Sequence, residues 1–179
     1  MLGATRRTIL AGFAAALAPQ PLLAQQPQGG MRRLGVLMPR PPGDPQGKVF
    51  AGAIVQGLAA LDWHEGGNLH IDWRWAGSDP TLFERYAAEL VALAPEVLLA
   101  ISSTSVTALR RQTGTIPIVA VGITDPVAQG FVASLAHPGG NITGFSLFDT
   151  PMAGKWLGML TQITPPVARV GVLSGDGAL

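Results

Sequence analysis

Along the chain, short unbroken apolar runs alternate with longer stretches in which apolar residues recur every three or four positions. Leu34-Gly35-Val36-Leu37-Met38, Val97-Leu98-Leu99-Ala100-Ile101 and Ile116 to Val121 are continuous in apolar character. Such runs predict central strands of a parallel sheet, covered on both faces. Leu69 to Trp75 alternates instead, with Leu69, Ile71, Trp73 and Trp75 on one face and His70, Asp72 and Arg74 on the other. That pattern predicts an edge strand. Between the strands, Phe50, Ile54, Leu58 and Leu61 form one helical stripe. Leu82, Tyr86, Leu90 and Leu93 form a second, with Glu84, Arg85 and Glu89 largely outside it. Gly66-Gly67-Asn68 and Gly77-Ser78-Asp79-Pro80 predict turns, and Ser78 or Asp79 is available to cap the second helix.

This alternation belongs to the α/β class. With the second strand at an edge and the others inside, the spatial order is 2-1-3-4, a doubly wound parallel sheet in the flavodoxin-like order. A short helix from Val127 to Leu135, a turn at Pro138-Gly139-Gly140 and a fifth strand from Asn141 to Ser146 complete an expected lobe over residues 33–147. Met152, Trp156, Met159, Leu160 and Ile163 mark a further helix, Pro165-Pro166 stops it, and Arg169 to Leu173 reads as another buried strand. So near the chain end, that strand lacks the neighbours its backbone requires. Residues 148–179 are therefore expected to be the start of a truncated second lobe.

The first residues read as an address. Arg6-Arg7 precedes an apolar run through Leu17, Pro19 and Pro21 interrupt it, and Leu22-Leu23-Ala24 leads into Gln25-Gln26. This is the pattern of a secretory signal peptide over residues 1–24, of the ordinary or the twin-arginine type, cleaved after Ala24 and followed by a linker over 25–32. The apolar run falls short of the ~20 residues of a membrane span, so no transmembrane segment is expected in the mature chain, and export predicts a periplasmic location. The 179 residues carry 12 Lys+Arg against 11 Asp+Glu, a net charge of +1, which offers no footprint for nucleic acid or an anionic membrane. Zero cysteines exclude disulfides, thiolate metal sites and cysteine nucleophiles.

In such sheets ligands bind beyond the carboxyl ends of the strands, which makes the residues after each strand the candidates. Ser102-Ser103-Thr104-Ser105 opens a helix whose first-turn N–H groups and dipole favour an anion such as a ligand carboxylate; the competing reading is that Ser102 or Ser103 only caps the helix. Asp125, ahead of Pro126, can meet an ammonium or hydroxyl group or can simply form a turn. Arg40 can face an anionic ligand or be solvated. No dinucleotide glycine pattern, Walker sequence or Gly-x-Ser-x-Gly elbow is present. His64, His70 and His137 lack metal-ligand spacing, so no catalytic residue, metal or cofactor is assigned. Trp63, Trp73, Trp75 and Trp156 fall where helix and strand periodicity points them at the core.

Several stretches together resemble a known family. They are Ala24-Gln25-Gln26, Arg33 to Met38, Gln56-Gly57-Leu58, Asn68 to Ala76 with Trp73-Arg74-Trp75-Ala76, Ile116-Pro117-Ile118-Val119, Asp125-Pro126-Val127 and His137-Pro138-Gly139-Gly140-Asn141-Ile142-Thr143-Gly144. The sequence looks like the periplasmic substrate-binding proteins of ABC transporters, of the tryptophan/tyrosine-type group. The resemblance implies a type I periplasmic-binding fold, of which this chain holds the first lobe, and capture of a small organic ligand, an amino acid among the options, for delivery to an inner-membrane permease. It implies no catalysis. It places ligand contacts in the loops after strands one, three and four, which here carry Arg40, Ser103, Thr104 and Asp125. The sequence departs from the family pattern at Pro39-Arg40-Pro41-Pro42 and in length, since members run to about twice a single lobe. Two rival expectations remain: an exported α/β hydrolase using Ser103, and a non-functional truncated remnant of a binding protein.

Overall fold

Acidic caps and prolines set where the helices begin. Asp44 Oδ1 accepts from the Gly47 N–H at 2.6 Å ahead of Pro45, and Asp79 Oδ1 accepts from the Thr81 N–H at 2.8 Å ahead of Pro80. Each carboxylate satisfies an orphan first-turn amide, and each proline sits where no amide hydrogen is needed. The computed structural model describes residues 30–148 and 151–163, with Arg169 and Gly171. Its elements are β1 (Arg32–Met38), α1 (Pro45–Ala59), β2 (Leu69–Trp75), α2 (Pro80–Ala92), β3 (Val97–Ile101), α3 (Ser103–Gln112), β4 (Ile118–Thr124), β5 (Ile142–Phe148) and α4 (Pro151–Ile163). The expected signal peptide and the strand expected from Arg169 to Leu173 lie outside the described residues, apart from Arg169 and Gly171 themselves.

The strands form one parallel sheet in the order β2-β1-β3-β4-β5, the doubly wound order expected. On one face, Leu37, Leu98, Ala100, Ile118, Ala120 and Ile142 meet Phe83, Ala87 and Leu90 of α2 and Val106, Ala108 and Leu109 of α3. This is the main core. On the opposite face Val36, Leu69 and Ile71 pack with Leu34, Leu58, Trp63, Trp73, Leu99 and Ile101. Trp73 and Trp75, two apart on the same side of β2, stack at 5.8 Å between centroids. The polar side of β2 is held by ion pairs, Asp72 to Arg33 at 3.0 Å and Arg74 to Glu89 of α2 at 2.7 Å.

Six expectations need correction. β3 and β4 are not covered on both faces: Val97, Leu99, Ile101 and Val119 are half-buried, and Val121, Phe145 and Leu147 are exposed, because α1 reaches only β1, β2 and the near side of β3. For the same reason the α1 stripe is incompletely buried, with Phe50 at 41% exposure and Leu61, beyond the helix end, at 70%. In α2 the buried line is Phe83, Ala87 and Leu90, which shares Leu90 with the one expected and leaves Leu82 and Tyr86 at its margin. No helix forms from Val127 to Leu135; the segment is a series of turns, interrupted by Gly130 at φ +65°. Strand β4 also starts and ends later than its apolar run, since Pro117 has no N–H to give a ladder. Trp156 is half-exposed on α4 rather than pointed at the core, as are Met159 and Leu160.

The His137 to Gly144 motif works as a structural clamp. Asn141 Nδ2 donates to the Ile116 carbonyl at 2.8 Å, the Asn141 carbonyl accepts from the Ile118 N–H at 2.8 Å, and so β5 is locked to β4 on both sides of Pro117. Gly144, at φ +150°, lies so close to β4 that a Cβ would fall 1.9 Å from the Ala120 carbonyl oxygen. Gly144→Ala is expected to destabilise the chain by at least about 1–3 kcal/mol through backbone strain alone, read from the urea unfolding midpoint. A midpoint equal to that of the parent would refute the clamp.

The Asp79 cap also makes stability depend on pH. Its hydrogen bonds from the Thr81 hydroxyl and N–H hold its carboxyl below the usual carboxylate range. A lowered folded-state pKa gives stability that is present above the unfolded value and is lost as pH falls through the folded one. The stability gap between the parent and Asp79→Ala should be full at neutral pH and shrink progressively below about pH 4. Urea titrations at both ends of that range measure it.

Candidate functional site

The parallel order brings the loops after β1, β3 and β4 side by side along one edge of the sheet. The start of α3 is fastened there by Ser105, which is fully buried. Its hydroxyl lies 3.2 Å from the Leu37 carbonyl of β1 and 3.3 Å from the Ile101 carbonyl of β3, and 3.1 Å from Ser102 Oγ. Ser102 is the cap: its hydroxyl accepts from the Ser105 N–H at 3.2 Å. Its backbone sits at φ 126° and ψ 159°, a region nearly confined to glycine. Asp125, across the neighbouring loop, also takes a positive φ of 37°. Two non-glycine residues with positive φ thus follow adjacent strands, as happens where a local geometry is held by its surroundings.

The structure places the four expected residues on these loops. Ser103 and Thr104 are the first two residues of α3, where neither N–H has an intrahelical acceptor, and the Thr104 side chain is exposed. The capping role falls to Ser102, leaving Ser103 for other contacts. Asp125 directly follows β4; its Oδ1 accepts from the Ala128 N–H at 3.0 Å and its carbonyl from the Gln129 N–H at 3.1 Å, so it shapes the turn it was also expected to form. Arg40 stands apart from this group. Its guanidinium lies 3.5 Å from Asp44, the α1 cap, and 5.6 Å from the Phe50 ring centroid, which turns it back along α1.

Gln129 is the residue that the sequence left out. Its side-chain nitrogen donates to the Thr124 carbonyl and lies 3.1 Å from Ser103 Oγ, joining the loop after β4 to the mouth of α3. The expected helix over Val127 to Leu135 hid it, because a helical residue at 129 has no reason to face Ser103. No motif marks it.

The His137 backbone N–H donates to Ser134 Oγ at 2.9 Å, and among the described residues no hydrogen bond joins His137 to Ser103. Among the described residues no group of three or more His, Asp or Glu can hold a metal ion, and no helix is long and apolar enough to cross a membrane. An open apolar groove of about 410 Å³ lies elsewhere, between α1 at Ala51, Gly52 and Val55 and the Trp73–Trp75 stack.

The doubly wound sheet thus presents hydroxyls, first-turn helix amides and a carboxylate along its carboxyl edge, the place where such folds take their ligands. Residues 44–177 match the family model of the ABC transporter substrate binding protein, and the chain belongs to that family. A tyrosine-binding protein of Clostridioides difficile is 32% identical over 120 residues, which is 67% of this chain and 34% of that protein. Among solved structures, a conserved domain protein of Vibrio cholerae superposes with a TM-score of 0.65 at 30% identity, over 77% of this chain and 45% of that one. An ABC domain from Streptococcus pneumoniae in complex with L-Trp gives 0.60 at 26% identity, over 65% and 39%. A ligand-free, open substrate binding protein with adhesive properties from Clostridium difficile gives 0.63 at 27%, over 74% and 43%. This chain therefore spans between a third and a half of the length of these relatives.

Ser105 tests the fastening directly. Ser105→Ala removes a buried hydroxyl that serves two carbonyls, and it should cost about 1–3 kcal/mol in urea unfolding. A loss below about 0.5 kcal/mol, the range of surface substitutions, would show that the tie is dispensable.

Proposed function

We propose that this chain is the first ligand-binding lobe of an exported solute-binding component of an ABC importer. It takes a small organic ligand, an amino acid, by its carboxylate at the mouth of α3 and its ammonium at Asp125, and an inner-membrane permease receives the ligand. The observation that carries the reading is the convergence of Ser103, Thr104 and Asp125 on adjacent loops in a chain of this family. A tyrosine-binding relative and a structural neighbour in complex with L-Trp support an aromatic amino acid as the first ligand to test. Export follows from the arginine pair and apolar run before Ala24, and the periplasm is the compartment where such a protein meets its permease.

One lobe supplies one wall of a cleft, so binding by the chain alone is expected in the roughly millimolar range. Titration of the purified chain with L-tryptophan, followed by amide NMR shifts, should move Ser103, Thr104 and Asp125 saturably. Thr104→Ala and Asp125→Ala should each weaken binding about tenfold, the loss expected when a hydrogen-bonding side chain is removed from a charged end of the ligand. Unaltered affinity in both variants would remove the site assignment, and N-terminal sequencing of material from the periplasm would locate the cleavage expected after Ala24.

A further inference from the structure

Gln129 determines the direction of a proton at the candidate site. Its side-chain nitrogen faces the Thr124 carbonyl oxygen, which only accepts, so the amide must present its NH2 group there; the flipped amide would set two acceptors against each other. The same nitrogen lies 3.1 Å from Ser103 Oγ and 3.4 Å from Thr124 Oγ1. With one hydrogen given to the carbonyl, the other goes to Ser103, the nearer hydroxyl. Ser103 Oγ is then an acceptor toward Gln129, and its own hydrogen is free to point away. Among the described residues Ser103 Oγ makes no other hydrogen bond; the Thr107 hydroxyl, one turn on, goes to the Ser103 carbonyl at 2.9 Å.

We propose that Gln129 is a specificity-positioning residue. By holding Ser103 with its hydrogen outward, it makes this part of the α3 mouth a surface of donors, namely the Ser103 hydroxyl and the N–H groups of Ser103 and Thr104. That surface takes a ligand end that only accepts, a carboxylate, and discriminates against the same molecule without it. Without Gln129 the hydroxyl rotates freely and serves a donor or an acceptor equally. The inference rests on the binding reading above and adds to it which residue sets the polarity.

The test compares L-tryptophan with tryptamine, which lacks only the carboxylate, by NMR titration of the purified chain. The parent should bind L-tryptophan more tightly. Gln129→Glu keeps the shape, accepts the Ser103 hydrogen and adds like charge, so the preference should fall at least about tenfold. Gln129→Met, which cannot hydrogen-bond in this way, should lower the preference less, in the same direction; it serves if the glutamate variant fails to fold. A preference unchanged in a folded variant overturns the proposal, because a residue that only braced the loop would weaken both ligands alike. If the parent binds neither compound, the binding reading fails, and the polarity claim is then judged without ligand. In that case Ser103→Ala must shift the Gln129 side-chain amide resonances, and resonances left in place overturn it.

Discussion

The fold of the candidate site depends on one buried hydroxyl. Ser105 lies beneath the start of α3 and reaches the carbonyl ends of both β1 and β3. A parallel strand releases its last carbonyls at the edge where the next helix begins, and those groups are costly to bury unpaired. Ser105 brings a single hydroxyl hydrogen within reach of one such carbonyl from each strand, from within the helix. In doing so it sets α3 in the crevice between two strands, aims its free amides outward and leaves Ser102 to close the first turn in a strained backbone conformation. Ser103 and Thr104 then face outward because the residues on either side of them are committed inward.

A second constraint shapes the rest of the lobe. Parallel sheets are stable when both faces are covered, and this one is fully covered on the side of α2 and α3 only. On the other side α1 reaches across β2 and β1, while Val121, Phe145 and Leu147 stay exposed. Gly47 permits even that partial packing, since a Cβ there would meet the Trp75 ring at 2.8 Å. The covered face gives the sheet its rigidity, and the carboxyl edge inherits it. Loops with little regular structure, such as the turns from Pro126 to Gly130, keep a defined geometry because β4 and α3 hold both ends.

Much of this was legible in the residues. Unbroken apolar runs and one alternating run were enough to order the sheet, since a strand with a polar side of His70, Asp72 and Arg74 belongs at an edge. Ser78-Asp79 before Pro80 and the serines at the start of α3 marked where those helices begin by local chemistry, which acts within a few residues and so can be read from a few residues. The loops carrying Ser103, Thr104 and Asp125 followed from the strand order. The errors arose where the answer depended on distant chain. The α1 stripe over Phe50, Ile54, Leu58 and Leu61 has the right period, but how much of it is buried is set by the width of sheet beneath it. The segment from Val127 to Leu135 has helical composition, yet Gly130 and the contacts of Phe131 and Val132 with the main core hold it in turns.

Sequence by itself determined the class of fold, the strand order and which loops form the candidate site, because each of these follows from periodicity or from chemistry between near neighbours. Only the tertiary structure decided that Ser102 caps while Ser103 faces out, that Arg40 turns back to Asp44, and that Gln129 joins the loop after β4 to the start of α3. These are choices among groups with equal local propensity. Ser102 and Ser103 are the same residue type one position apart, and Gln129 and Ser103 are 26 positions apart; what separates the first pair and unites the second is the packing of α3 against β1 and β3, a contact that no window of the sequence contains.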